Sequence, residues 1–385
     1  MTSTRPSRPS FDGTRRSFLA ATGVAGAAAF LAACGGDDGG ATSTRTGGAA
    51  ASGGTGLVKG GELNVYSWPD YFAKENLAAY RKATGTKLNV TTYADNDTLF
   101  AKLNAAGGSG YDLVIPSSGY VQQLAGRGKL EKLDHARLPL DTLDPSLLDK
   151  EYDPGNAYSV PKDWGVLGVV YDPAAVGGRI ATWQDVLDAG AKPGVSGKVR
   201  LGSSGYQTVG VALWAGGGRV NTTDEAEIRR AGDTMKGFVR HVKTFDAFDA
   251  DAVAKGTIVL STCNQSQARN AILQNPKLEF VIPGPRSELW VDCYAIPAGA
   301  PNQAQAYSFL NFLLQPKRQV TDTEFIGYPA ALKGLEQRLP RSTKERDLIF
   351  GGKDADLDAL ETYVVNPKTA QLYSDLQSEL QAAAA

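Results

Sequence analysis

One carboxylate set among apolar neighbours, Asp292 in Leu289-Trp-Val-Asp-Cys-Tyr-Ala-Ile296, is the residue of this chain best placed to do chemistry. A charged side chain in such a run is rarely buried without a partner. A second segment, Gly202-Ser-Ser-Gly-Tyr-Gln207, enters a helical pattern and offers hydroxyls and free backbone N–H groups, which suit a carboxylate or another anion. It does not match the G-x-S-x-G of a nucleophile elbow, and neither His135 nor His241 lies in a catalytic motif. The three cysteines and two histidines are too widely spaced to read as zinc or iron ligands, so no cofactor is expected. A formal net charge of −1, from 40 basic and 41 acidic residues, argues against a nucleic-acid partner.

The elements that must carry these residues alternate. Glu62–Tyr66 reads as a strand, Asp70–Ala83 as a helix, Lys87–Tyr93 as a strand, a helix capped near Asp97 runs through Leu103, and Tyr111–Ile115 is a third strand. The pattern recurs as a strand near Val199–Leu201, a helix from Thr208, a strand at Thr257–Ser261, a helix from Gln265 and a strand at Glu279–Ile282. Such alternation implies parallel, doubly wound sheets, and two units of it imply two α/β lobes. Ligands of open α/β sheets sit beyond the carboxyl ends of the strands. Ser67–Tyr71, Pro116–Tyr120 and Gly202–Gln207 occupy such ends.

The first 61 residues carry a different message. Arg15-Arg16 precedes a 16-residue apolar run, Phe18–Ala33, that ends in Leu31-Ala-Ala-Cys34. These are the parts of a twin-arginine export signal closed by a lipobox, with residues 1–33 removed and Cys34 acylated. The run is shorter than the roughly 20 residues that span a membrane. Residues 34–61, rich in Gly, Ala, Ser and Thr, cannot bury enough surface to offset ordering and should form a flexible tether.

Asn64-Val-Tyr-Ser-Trp-Pro-Asp-Tyr71, Thr92-Tyr-Ala-Asp-Asn-Asp97, Tyr111-Asp-Leu-Val-Ile-Pro-Ser117, Tyr158-Ser-Val-Pro161 with Trp164-Gly165, Trp290-Val-Asp292, Ala295-Ile-Pro297 and Ile326-Gly-Tyr-Pro329 lie in register. In these the chain resembles the spermidine/putrescine-binding proteins of bacterial ABC importers, over residues 62–380. The resemblance implies a two-lobed clamp with a cleft between the lobes, lobe one being 62–166 plus 291–336 and lobe two 167–290 plus 337–383. It implies a monomer that captures an amine-containing solute, delivers it to a permease and its ATPase, and is no enzyme. Polyamine recognition needs carboxylates for the ammonium groups and aromatic walls for the methylenes. Carried over, Trp68, Tyr71 and Trp290 would be walls, Asp70 an acid between the first two, Asp292 the central ammonium acceptor, Ser117 a polar contact with Tyr120 beside it, and Tyr328 a further contact.

Departures from the family follow. Ser204 and Gln207 stand where the family has two carboxylates, Cys263 replaces its lobe-two tryptophan, and no C-terminal glutamine contact is evident near Thr362–Val365. Neutral hydrogen bonds are weaker than charge-assisted ones, so spermidine is expected to bind poorly. One amine at Asp292 with a polar or anionic end at Ser204, as in a monoamine or an ω-amino acid, fits these residues; alternatively, Ser204 and Gln207 lie at a solvated rim. A membrane-tethered sensor and a secreted α/β hydrolase remain open. Cys263 and Cys293 could form a disulfide in an oxidising compartment, or stay separate small buried residues, since alternation turns Cys293 away from the face of Asp292.

Overall fold

The computed structural model describes residues 56–105, 110–340, 346–351 and 357–384. The expected export signal, Cys34 and the tether as far as residue 55 lie outside these residues. Among the described residues the strands are β1 (Glu62–Ser67), β2 (Lys87–Thr92), β3 (Leu113–Val114), β4 (Ser159–Tyr171), β5 (Val199–Arg200), β6 (Val242–Thr244), β7 (Leu260–Asn264), β8 (Glu279–Val281) and β9 (Leu289–Ala295). They join in the order β2-β1-β3-β9-β4-β7-β5-β6, with β8 also paired to β4.

The outer pairs β1–β2, β1–β3, β5–β6 and β5–β7 are parallel, as the alternating pattern implies. The middle is not. β9 runs antiparallel to β3 and β4, and β4 runs antiparallel to β7 and β8. β4 and β9 are the strands by which the chain leaves its first half and re-enters it, so each meets its neighbours head to tail. β4 is 13 residues long and buried throughout, with few polar side chains, as expected of a strand covered on both faces. Its residues 159–166 pair with β9 and residues 167–171 with β7.

Two large cores flank this arrangement. One gathers Leu63, Val65, Leu113, Val160, Val166, Val291 and Phe309; the other gathers Leu167, Val169, Trp183, Trp214, Leu260 and Leu376. The first helix spans Lys74–Thr84, starting later than the expected Asp70. Asp70 takes a left-handed conformation, φ 50°, which breaks the helical path, and the helix start is tied down from outside by Asp322, which accepts from Ala73 N at 2.8 Å. The last connection returns to the second core through Glu361, whose buried carboxylate accepts from Trp214 Nε1 at 2.6 Å, Val220 N at 3.1 Å and Arg219 Nε at 3.1 Å.

Glu361→Ala would leave the Trp214 and Val220 donors buried without an acceptor. Urea denaturation should report a loss of about 2 kcal/mol or more, given about 1–3 kcal/mol for each orphaned group.

Candidate functional site

β9 organises the site through its alternation. Leu289, Val291 and Cys293 point into the first core, so Trp290 and Asp292, together with Glu288 just before the strand, take the other face. All three line cavities. The Trp290 indole is shared by three of them, of ≈ 690, ≈ 670 and ≈ 200 Å³, the first two within the range of small-molecule sites. It can lie flat across β4 because its strand partner is Gly165, where a Cβ would stand 2.1 Å from Trp290 Cζ2. Tyr328 meets the indole edge to face, with centroids 4.9 Å apart at 84°.

Asp292 is buried and bound by hydroxyls. Ser117 Oγ donates to its Oδ1 at 2.5 Å, and Tyr71 Oη lies 2.6 Å from its Oδ2 and 2.6 Å from Asp163 Oδ1. Asn96 orients Ser117 by donating to its Oγ at 2.9 Å and accepting from its N–H at 3.1 Å. Lys162, also buried, pairs with Asp163 at 2.5 Å and stands 3.9 Å above the Tyr71 ring. Lys162 therefore pairs with Asp163, which does not line the large cavities, while Asp292 faces one of them with no ion-pair partner of its own among the described residues. Burial pushes the Asp292 carboxyl up to about 7; the Asp163 charge adds to this, and Ser117 and Tyr71 pull it back.

The second cavity collects Trp68, Asp70, Tyr71, Ser117, Trp290, Asp292 and Tyr328. Trp68 is fixed by its Nε1 donating to Ile115 O at 3.1 Å, and Asp70 is exposed. Tyr71 is more than a wall, because its hydroxyl joins two acids and a lysine covers its ring. Pro69, Asn264, Phe325 and Ile326 complete this lining without having been named as site residues from the sequence. Tyr120, Ser204 and Gln207 line the first cavity, with the Tyr120 hydroxyl donating to Asp97 at 2.7 Å. Ser204 caps the helix Gly205–Ala215 with no side-chain hydrogen bond of its own to that helix. Cys263 lines the small third cavity with Ser203, Ser204 and Arg200, whose guanidinium donates to the carbonyls of Asp246 and Thr262.

The sequence counted no acid at the Ser204–Gln207 end of the cleft, and the structure places one there. Gln207 Nε2 donates to Glu288 Oε2 and Tyr206 Oη to Glu288 Oε1, each at 2.6 Å, and Glu288 lines the first cavity. The available signal was the step of two from Asp292 through Trp290 to Glu288, which keeps all three on one face. Cys263 and Cys293 are buried free thiols. Their partners on β4, Gly168 and Pro161, are seven residues apart, about 23 Å at about 3.3 Å per residue, so no bridge joins them. Burial pushes the Cys263 thiol up to about 12. Among the described residues no cluster of His, Cys, Asp and Glu could hold a metal ion, and no helix is long and apolar enough to cross a membrane.

The sequence matches the bacterial extracellular solute-binding proteins over residues 75–347. It is 32% identical over 294 residues to spermidine/putrescine-binding periplasmic protein 1 of Haemophilus influenzae, covering 75% of this chain and 81% of that one. To the spermidine/putrescine-binding periplasmic protein of Escherichia coli it is 33% identical over 270 residues, 69% and 76% of the two chains. The crystal structure of the spermidine/putrescine ABC transporter substrate-binding protein PotD from Streptococcus pneumoniae superimposes with a TM-score of 0.75 at 27% identity, covering 84% of this chain and 99% of that one. The α/β, two-lobed clamp expected from the sequence is the observed fold.

Two outcomes follow from the geometry. The Asp292 carboxyl titrates near 7 in the folded protein and near 3.8 unfolded. Its protonated form favours folding, so that contribution is complete below pH 3.8 and is lost as pH rises through about 7. Thermal melts of the free protein should fall over this window, and Asp292→Asn should remove that component of the slope. Gly165→Ala should displace the Trp290 indole, costing about 1–3 kcal/mol as overpacking does and changing the near-ultraviolet circular dichroism of the cleft aromatics.

Proposed function

The chain belongs to the bacterial extracellular solute-binding protein family, and on that premise we propose that it is the ligand-capturing subunit of an ABC importer for a cationic amine of the polyamine class. The observation that carries this reading is Asp292: a buried carboxylate held by two hydroxyls, walled by Trp68, Tyr71, Trp290 and Tyr328, and open to a cavity of ≈ 670 Å³. An ammonium there would replace the proton that burial favours. The aromatic faces would cover methylenes and add cation–π attraction. The relatives' names, which specify spermidine and putrescine, support the same ligand class.

The lobes are taken as 62–166 plus 291–336 and 167–290 plus 337–383, with the ligand between them. The protein would be exported through its twin-arginine signal, held at the membrane by acylated Cys34, and would act as a monomer that passes its ligand to a permease and ATPase. Hydrolysis is disfavoured because His135 and His241 are engaged elsewhere, bonded to Asn156 O and Ser196 Oγ, and neither lines a cleft cavity. A sensor would share the same clamp and differ only in its membrane partner. One observation favours a second ligand, an ω-amino acid: Arg200 is a buried cation whose hydrogen bonds among the described residues go to backbone carbonyls, it lines a cavity with Ser204, and it could face a carboxylate.

Calorimetry with spermidine, putrescine and a four-carbon ω-amino acid tests the reading. A polyamine should bind, and Asp292→Asn should weaken it by about 2–5 kcal/mol, the usual cost of truncating a buried charge pair. Affinity should also fall as pH drops below about 7, where Asp292 holds its own proton. Cys34→Ala should release the protein from the membrane or leave an unprocessed precursor; unchanged membrane association would exclude the lipid anchor.

A further inference from the structure

Glu288 is a buried acid with no ion-pair partner among the described residues. It is 2% exposed, and its two oxygens accept from Tyr206 Oη and Gln207 Nε2, both neutral donors. Among the described residues no Lys, Arg or His forms an ion pair with it. Its neighbour across an isolated bridge, Glu361, has Arg219. Burial, opposed by Tyr206 and Gln207 and reinforced by the Glu361 charge, raises the Glu288 carboxyl above the usual range. A carboxylate so placed is costly unless a cation arrives from outside.

Its surroundings point the same way. Glu288 borders the ≈ 690 Å³ cavity, and Tyr206 and Tyr363 stack beside it with centroids 3.8 Å apart. Across that cavity Gln377, on the C-terminal helix Pro367–Ala384, is 6% exposed, and neither its amide nitrogen nor its oxygen has a partner. Glu288, Trp290 and Asp292 share one face of an extended run, because Leu167 N donates to Glu288 O at 3.0 Å and so continues the β4–β9 ladder one residue past the strand. The acids are four residues apart, about 13 Å of backbone at about 3.3 Å per residue, with the indole between them. At about 3.8 Å per three bonds, an extended diamine with five bonds between nitrogens reaches about 6 Å and a triamine with nine bonds about 11 Å.

We propose that Glu288 is the second ammonium acceptor of this cleft, and that the ligand it selects is a linear triamine lying along β9, one terminal ammonium at Asp292, its methylenes on Trp290 and the other terminal ammonium at Glu288. This rests on the amine reading of Asp292. The charge that Ser204 and Gln207 lack is supplied one layer deeper, by a residue that Gln207 itself orients. Gln377 is the further polar contact for the same end.

The test uses the full-length protein, calorimetry, and four probes: spermidine, putrescine, spermidine acetylated on one terminal nitrogen, and a four-carbon ω-amino acid. Spermidine should bind tightest. Glu288→Gln, checked for folding by its thermal melt, should weaken spermidine by about 30-fold or more, as expected when one partner of a buried charge pair is removed. Putrescine, which reaches one acid only, should change by less than about threefold on that scale. Acetylation of the better-chosen terminus should cost the unaltered protein as much as the substitution does, and should cost Glu288→Gln little more. That arm needs no variant, so it decides the matter even if Glu288→Gln misfolds. Equal loss for spermidine and putrescine, or an undiminished spermidine affinity, would overturn the role of Glu288 while leaving Asp292 as acceptor. Tighter binding of the ω-amino acid than of spermidine would also overturn it. A failure of every amine to bind would instead remove the amine reading on which the proposal stands.

Discussion

Tyr71 has one hydroxyl hydrogen and two carboxylates within 2.6 Å of its oxygen, and the site follows from how that shortage is resolved. Lys162 satisfies Asp163 from behind, with both groups almost fully shielded from water. Asp292 is then left with hydroxyl donors alone, and hydroxyls stabilise a carboxylate without cancelling its charge. Lys162 and Asp163 lie at an irregularity between Pro161 and Asp163, which shifts the register of β4 against β9 at this point. A polar cluster inside an otherwise apolar strand is tolerated because nearly every member is bonded, and the residual charge is directed at the cleft.

The same constraint reaches outward through packing. Trp290 can cover β4 only because residue 165 has no side chain, and the start of the helix Gly205–Ala215 approaches the C-terminal helix closely enough that a Cβ on Gly205 would stand 2.2 Å from Tyr373 O. These two glycines bring an indole, a helix end and the C-terminal helix around one volume. Trp290 and the Tyr206–Tyr363 pair line it, and Tyr328, edge to face with the same indole, lines the second cavity that Trp290 shares. The candidate site is thus assembled from strand ends and helix starts of both cores, and no single segment carries it.

Much of this was legible in the residues. The alternation of strands and helices gave the two-lobed class, and Asp292 declared itself through its apolar neighbours. Trp68, Tyr71, Ser117, Trp290 and Tyr328 came from motifs lying in register, and they do gather in one cavity. The antiparallel middle of the sheet was not legible, because strand direction depends on where the chain returns from, and local pattern does not encode it. Glu288 was missed for a related reason. Arg286-Ser-Glu288 looks like an ordinary polar turn, and its burial depends on Tyr206 and Gln207, about 80 residues away in sequence. Lys162 likewise reads as a surface lysine until β4 is covered on both faces.

β4 has a mechanical consequence. It passes from one core to the other as a single strand, and at the crossing Leu167 N donates to Glu288 O while Leu167 O accepts from Ser287 Oγ at 2.6 Å. A segment laddered on both edges cannot swivel like a loop. Any rotation of one half against the other would have to be distributed as twist over the torsions of β4 and β9. β9 also carries Trp290 and Asp292, and Glu288 directly precedes it.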